Sequence, residues 1–108
     1  MDSLLIYGAY GYTGERIART AVDRGHTPVL AGRNPKPLHS LAADLGVRSR
    51  TFALDDDIES HLAGVETVLN CAGPFESTAE PLVEACLNRG VDYLDITGEL
   101  PVFERLAR

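Results

Sequence analysis

Ser3-Leu4-Leu5-Ile6-Tyr7-Gly8-Ala9-Tyr10-Gly11-Tyr12-Thr13-Gly14 is the stretch on which the reading of this chain turns. An apolar run of strand length stops abruptly at Gly8, as expected of a strand buried on both faces. Beyond the three glycines, Ile17, Ala18, Ala21 and Val22 recur at helical spacing, and Gly25 supplies a stop. A strand, a glycine-rich turn and a helix therefore follow one another directly. Gly8 suits a sharp exit from a sheet, Gly11 a close approach of backbone to something else, and Gly14 tight packing of the helix on the strand. The helix then opens with unsatisfied N–H groups, carrying about half a positive charge. Those groups suit an anion, and the bare glycine backbone suits the approach of a diphosphate.

The same alternation continues down the chain. Thr27–Ala31 reads as a second strand, with Pro28 at its start, where no ladder bond is lost. Asn34-Pro35 reads as a helix cap followed by Pro at the first helical position. Leu38, Leu41, Ala42 and Leu45 form one stripe, ended by Gly46. Arg48–Leu54 is a third strand, its arginines alternating as on an edge with one wet face. Ile58 and Leu62 anchor a short helix before Gly64. Thr67–Ala72 is a fourth strand, stopped by Gly73-Pro74. From about Thr78 a longer helix carries Ala79, Leu82, Val83, Cys86 and Leu87 on one face, with Pro81 in its first turn. Val91–Ile96 is a fifth strand, and Pro101 begins another helix. Strands alternating with helices predict an α/β fold: a doubly wound, Rossmann-type parallel sheet of about five strands in a three-layer α/β/α arrangement. Right-handed crossovers favour the order 3-2-1-4-5, with the arginine-bearing third strand at an edge.

Composition narrows the functions. The chain has 108 residues, one domain's worth, and 44% of them are apolar. Ten basic residues stand against 16 acidic ones, a net charge of −6, so a basic face for nucleic acid is not expected. No apolar run approaches the roughly 20 residues of a membrane helix, and no signal peptide is evident. Cys71 and Cys86 sit in apolar surroundings and read as reduced core thiols, with the cytoplasm as the expected compartment. His26, His39 and His61 read as surface residues. No metal constellation is present in the sequence.

Context makes the glycine spacing informative. G-x-x-G-x-x-G is one residue longer than the commonest dinucleotide fingerprint, but it stands at the strand-to-helix junction that fingerprint requires. Glu15 and Arg16 follow the last glycine in place of Lys-Ser or Lys-Thr, which excludes a Walker-type loop. Gly8, Tyr10, Gly11, Tyr12, Thr13 and Gly14 are the candidate diphosphate segment. NAD sites place an Asp or Glu at the end of the second strand. Here that strand runs out into Gly32-Arg33-Asn34. A guanidinium at Arg33 suits a 2′-phosphate, in a contact worth about 1.5–3 kcal/mol, so NADP is expected and NAD disfavoured. Asn34 and Lys36 add donors. Asp55 either accepts from the adenine amino group or belongs to a solvated carboxylate run with Asp56 and Asp57. Cys71, Ala72, Gly73 and Pro74 close the fourth strand beside the cofactor, with Phe75 towards its nicotinamide side. The Tyr-x-x-x-Lys pair of short-chain dehydrogenases is absent, since Lys36 is the sole lysine.

Taken in order, Gly8–Gly14, Ala31-Gly32-Arg33, Asn70–Phe75 and Val91-Asp92-Tyr93-Leu94-Asp95-Ile96-Thr97-Gly98-Glu99 resemble the saccharopine dehydrogenase-like oxidoreductases, a group that includes the trans-acting enoyl reductases. The resemblance covers nearly the whole chain. It implies an NADP-binding N-terminal domain followed by a larger catalytic domain, so residues 1–108 are expected to be the nucleotide-binding part of a longer protein. The substrate, an unidentified small molecule, would be selected elsewhere. This chain alone is expected to bind NADP without turnover. A missing last strand predicts an exposed sheet edge and self-association. The competing readings are a non-catalytic NADP(H)-sensing module and a Rossmann relic that binds no nucleotide.

Overall fold

The computed structural model describes residues 4–72 and 75–95. Five strands, β1 (Leu4–Tyr7), β2 (Val29–Gly32), β3 (Ser49–Thr51), β4 (Thr67–Asn70) and β5 (Asp92–Asp95), form one sheet in the order β3-β2-β1-β4-β5. All pairs are parallel, with Ile6 beside Leu30 and Leu69, and Leu69 beside Leu94. Helices α1 (Tyr12–Asp23), α2 (Pro35–Leu45) and α3 (Phe75–Arg89), with a 3-10 turn over Ile58–Leu62, make the crossovers. This is the three-layer, doubly wound arrangement expected from the alternation of strands and helices.

Alternate residues of the central strands feed opposite layers, as the period of a strand dictates. Ile6 and Leu30 pack with Ala18, Leu38, Leu41 and Ala42, under α1 and α2. Leu5, Tyr7, Ala31 and Val68 pack on the other side with Phe52, Ile58, Leu62, Leu82 and Cys86, under α3 and the 3-10 turn. Arg19 links α1 to α2 through Glu15 (2.9 Å) and Asp44 (3.0 Å), an exposed network of small energetic weight. Among the described residues, no helix is long and apolar enough to cross a membrane.

Several local expectations change. Helix α3 starts at Phe75, not near Thr78, so Pro81 is its seventh residue and lies inside it. Thr78 resembles a capping residue in sequence, but its hydroxyl donates to the Ala72 carbonyl (2.9 Å) from within the helix. The buried face of α3 is Ala79, Leu82, Ala85 and Cys86; Val83 is half-buried and Leu87 is 76% exposed. Leu87 lies a full helical step off the stripe on which Leu82 and Cys86 sit. In α1 only Gly14 and Ala18 are buried, while Ile17, Ala21 and Val22 are half-buried. β3 is three residues long, although the Phe52 N–H extends its pairing to the Gly32 carbonyl (2.9 Å). Arg50 turns inward to donate to the His61 carbonyl (2.6 Å). His61 is no free surface residue, because its ring stacks on Phe52 at 4.6 Å. Ile96, the Thr97-Gly98-Glu99 segment and the helix expected from Pro101 lie outside the described residues.

The reassigned face of α3 can be tested by stability. Leu82→Ala should cost about 3 kcal/mol, and Leu87→Ala no more than about 0.5 kcal/mol, in chemical denaturation. Comparable losses at both positions would restore Leu87 to the core.

Candidate dinucleotide-binding cleft

The carboxyl ends of β1, β2 and β4 open onto a cleft of about 640 Å³. This is the switch point, where the chain leaves β1 for one side of the sheet and β4 for the other. At its floor three backbone segments meet. Gly8 has φ +80°, and a β-carbon there would lie 2.8 Å from the N, Cα and Cβ of Ala72. A β-carbon on Gly14 would fall onto the Gly8 carbonyl oxygen and 3.0 Å from Ala9 Cα. Both glycines are therefore required by the protein itself. Gly11 differs: its φ is −72°, and a β-carbon would meet only the Gly8 carbonyl oxygen, at 3.4 Å. Among the described residues nothing else lies within 4 Å of that position.

Gly11 is the N-cap of α1, and no side chain caps the helix. Its carbonyl accepts from the Glu15 N–H (2.8 Å), and its own N–H donates back to the Gly8 carbonyl (3.1 Å). The N–H groups of Tyr12, Thr13 and Gly14 are the orphan donors of the first turn. The side chains of Tyr12 and Thr13 line a different hollow, on the flank of α1, where Tyr12 accepts from Arg16 Nη1 (2.7 Å). What these two residues can offer an anion at the helix terminus is backbone.

Gly32, Arg33 and Asn34 line the opposite wall. Arg33 is exposed and has no hydrogen-bonding or ion-pair partner among the described residues. Asn34 is the N-cap of α2, with Pro35 behind it, but its side chain makes no cap bond. Its N–H instead donates to the Tyr10 hydroxyl (3.2 Å). The acidic run divides by role. Asp56 Oδ2 accepts from the Ala53 N–H (2.7 Å), and Asp57 caps the 3-10 turn through the Ser60 N–H (3.4 Å). Asp55, with Ala53 and Leu54 beside it, faces the cleft.

The third wall comes from the end of β4. Cys71 and Ala72 line it; Gly73 and Pro74 lie outside the described residues. Ala72 is held by both of its peptide groups. Its N–H donates to Asn70 Oδ1 (3.0 Å), and its carbonyl accepts from Thr78. The Asn70 side chain is fully buried, and its Nδ2 donates to Thr78 Oγ1 (3.0 Å) and to the Tyr93 hydroxyl (3.1 Å). Tyr93 in turn donates to Asp95 Oδ2 (2.9 Å). Tyr7 and Thr78 also border the cleft, and sequence reasoning passed over both. Tyr7 was legible as the last residue before the Gly8 turn. Asn70 was legible as a lone amide in an apolar strand. Thr78 was hidden because the helix was expected to begin about there, with nothing to mark its hydroxyl.

Burial pushes the Cys71 and Cys86 thiols up from 9.0 to about 11, with Asp92 adding to the shift at Cys86. Burial likewise pushes the Tyr7 phenol up to about 12, and raises that of Tyr93. Cys71 is therefore a protonated thiol near neutrality and a poor nucleophile. Among the described residues no cluster of His, Cys, Asp and Glu could hold a metal ion.

Comparison with known proteins identifies the family and the fold. The saccharopine dehydrogenase NADP-binding domain family matches residues 4–105. This chain belongs to that family. Its cofactor is NADP. An Arabidopsis thaliana protein named "Probable mitochondrial saccharopine dehydrogenase-like oxidoreductase" is 33% identical over 121 residues, covering 95% of this chain and 27% of the relative. The trans-acting enoyl reductase of Mycobacterium tuberculosis is 33% identical over 106 residues, covering 90% of this chain and 25% of that protein. In fold, the chain is similar to apo saccharopine dehydrogenase (L-Glu forming) from Saccharomyces cerevisiae, with a TM-score of 0.81 at 16% identity, over 98% of this chain and 24% of that one. The chain thus spans about a quarter of the length of these relatives.

Two measurements follow from the geometry of this NADP-binding domain. Asn70→Ala leaves the Ala72 N–H without its partner and takes one donor from each of the Thr78 and Tyr93 hydroxyls, and should cost about 2–3 kcal/mol. A variant as stable as wild type would show the network to be dispensable. The raised thiol and phenol groups release their protons first in the unfolded chain, so unfolding is favoured progressively as pH climbs. Stability should be fully present below pH 9, the ordinary thiol value, and fall from there towards pH 12, as thermal melts across that range would report. A flat profile would contradict the burial of these groups.

Proposed function

We propose that the cleft holds NADP with its diphosphate on the N–H groups of Tyr12, Thr13 and Gly14 and its 2′-phosphate against Arg33. The observation that carries this reading is the pairing of two features across one cleft. A helix terminus without a side-chain cap, fronted by Gly11, faces a guanidinium with no ion-pair partner among the described residues. The absence of a β-carbon at Gly11 leaves room for a phosphoryl group to come within hydrogen-bond distance of the helix amides. Gly8 and Gly14 shape the loop that presents these amides. Gly32 and Asn34 form the adenosine-side wall, and Asp55, the acid of its run that faces the cleft, accepts from the adenine amino group. Cys71 and Ala72 flank the path towards the nicotinamide, with Gly73 and Pro74 continuing that wall.

Bound NADP supplies hydride chemistry, so the protein that carries this domain is an oxidoreductase. What the chain contributes is grip, orientation and charge. The residues that choose the small-molecule substrate belong to a catalytic region outside residues 1–108, a reading supported by the fourfold greater length of the relatives. The cytoplasm is the compartment this reading favours, with both thiols free.

Calorimetric titration with NADP and NAD tests the assignment. Arg33→Ala should weaken NADP about tenfold to a hundredfold and leave NAD nearly unchanged. Gly11→Ala should weaken both cofactors while the melting temperature stays within a few degrees of wild type. Equal affinity of the wild type for NADP and NAD would remove Arg33 from the site.

A further inference from the structure

Tyr10 spans the cleft in a way that neither the glycine fingerprint nor the arginine accounts for. It belongs to the glycine loop, yet its ring lies on Gly32 at the end of β2. A β-carbon on Gly32 would fall onto Tyr10 Cε2 and 3.2 Å from its Cζ. Gly32 has no positive φ to explain it, so its lack of a side chain is matched to the tyrosine ring. The Tyr10 hydroxyl accepts from the Asn34 N–H at 3.2 Å. That N–H stands at the entrance to α2, one residue beyond Arg33. The loop on the diphosphate side and the turn that carries Arg33 are thus joined by one side chain.

The hydroxyl has capacity left over. A phenol can accept and also donate. No described residue accepts the Tyr10 proton, and the side chain borders the same cleft as Arg33. A hydroxyl that already accepts one hydrogen bond is polarised to donate a second more strongly.

We propose that Tyr10 is a specificity-determining residue for the 2′-phosphate. It fixes the Arg33-Asn34 turn through the Asn34 N–H and donates its phenolic proton to the phosphoryl group that Arg33 grips. This rests on the reading that Arg33 meets that phosphate. A tyrosine that only packed would support both cofactors equally. A tyrosine that donates to the extra phosphoryl group separates them, because NAD has no acceptor of that kind at the 2′ position.

Tyr10→Phe keeps the ring on Gly32 and removes only the hydroxyl. The probes are NADP and NAD, with adenosine 2′,5′-bisphosphate and adenosine 5′-monophosphate as fragments without the nicotinamide half. The expected result is a loss of about tenfold for NADP and the bisphosphate, with NAD and the monophosphate within about twofold. The melting temperature of the free protein should hold within a few degrees. Equal losses for all four ligands, or no loss for any, would overturn the proposal. Arg33→Ala measured alongside separates the two ideas. If Arg33→Ala costs NADP affinity and Tyr10→Phe does not, only the tyrosine proposal falls. If Arg33→Ala leaves NADP binding intact, the placement of the phosphate falls and the tyrosine proposal falls with it.

Discussion

Everything in this domain is organised around the meeting of three backbones at Gly8. β1 ends there in a conformation that residues with side chains rarely adopt, Gly14 of α1 presses onto its carbonyl, and Ala72 sits where a β-carbon would project. Because no side chain separates them, the start of α1 and the end of β4 are held against the tip of β1. The Gly8 N–H is also engaged, donating to the Ala31 carbonyl (2.8 Å) of the neighbouring strand. One turn thus ties β1, β2, α1 and the β4 exit together, and the cleft is the space those elements leave above it. A bulkier residue at Gly8 would alter the shape of the site and the packing of the sheet at once.

Charge is arranged as deliberately as backbone. A chain of net charge −6 should repel a polyanionic cofactor, and a bulk count alone would have argued against phosphate binding. The proposed site rests on the local arrangement instead. Asp56 and Asp57 are turned to backbone amides, which leaves Asp55 as the acid of that run on the cleft. The cleft is also lined by the loop that leads into α1, which no side chain caps, and by Arg33, which has no ion-pair partner among the described residues. Short-range donors aimed into a concave site outweigh distant carboxylates, whose fields water and salt screen within about 10 Å.

The order of strands was legible because it follows from few facts: alternating elements, right-handed crossovers and one arginine-bearing strand that had to be an edge. The roles of Gly8 and Gly14 were legible for a similar reason, since a sharp turn and a tight packing each exclude a side chain. What escaped were matters that only tertiary packing decides. Helix α3 begins at Phe75 rather than near Thr78, and the Thr78 hydroxyl donates to the Ala72 carbonyl from inside it. Leu87 is apolar and adjacent to the buried stripe, yet the 3-10 turn does not extend over it. Tyr12 and Tyr10 are equivalent in the string and opposite in space: one is 79% exposed on the flank of α1, the other lies across Gly32. A loop sequence does not say which way its side chains turn.

The buried Asn70 network gives the third wall of the cleft a different character from the other two. The glycine loop and the Arg33 turn end in donors left open for a ligand. The β4 exit instead has its polar groups consumed internally, from the Ala72 peptide through Asn70 and Thr78 to Tyr93 and the Asp95 carboxylate. A fully satisfied network of this kind is rigid, because any displacement leaves a buried group unpaired. It also spans β4, α3 and β5, so the wall moves only if all three elements move. On the proposed placement of the cofactor, the phosphates meet the open donors, and the β4 end holds its position. That division suits a cofactor anchored by its charge at one end and presented from a fixed surface at the other.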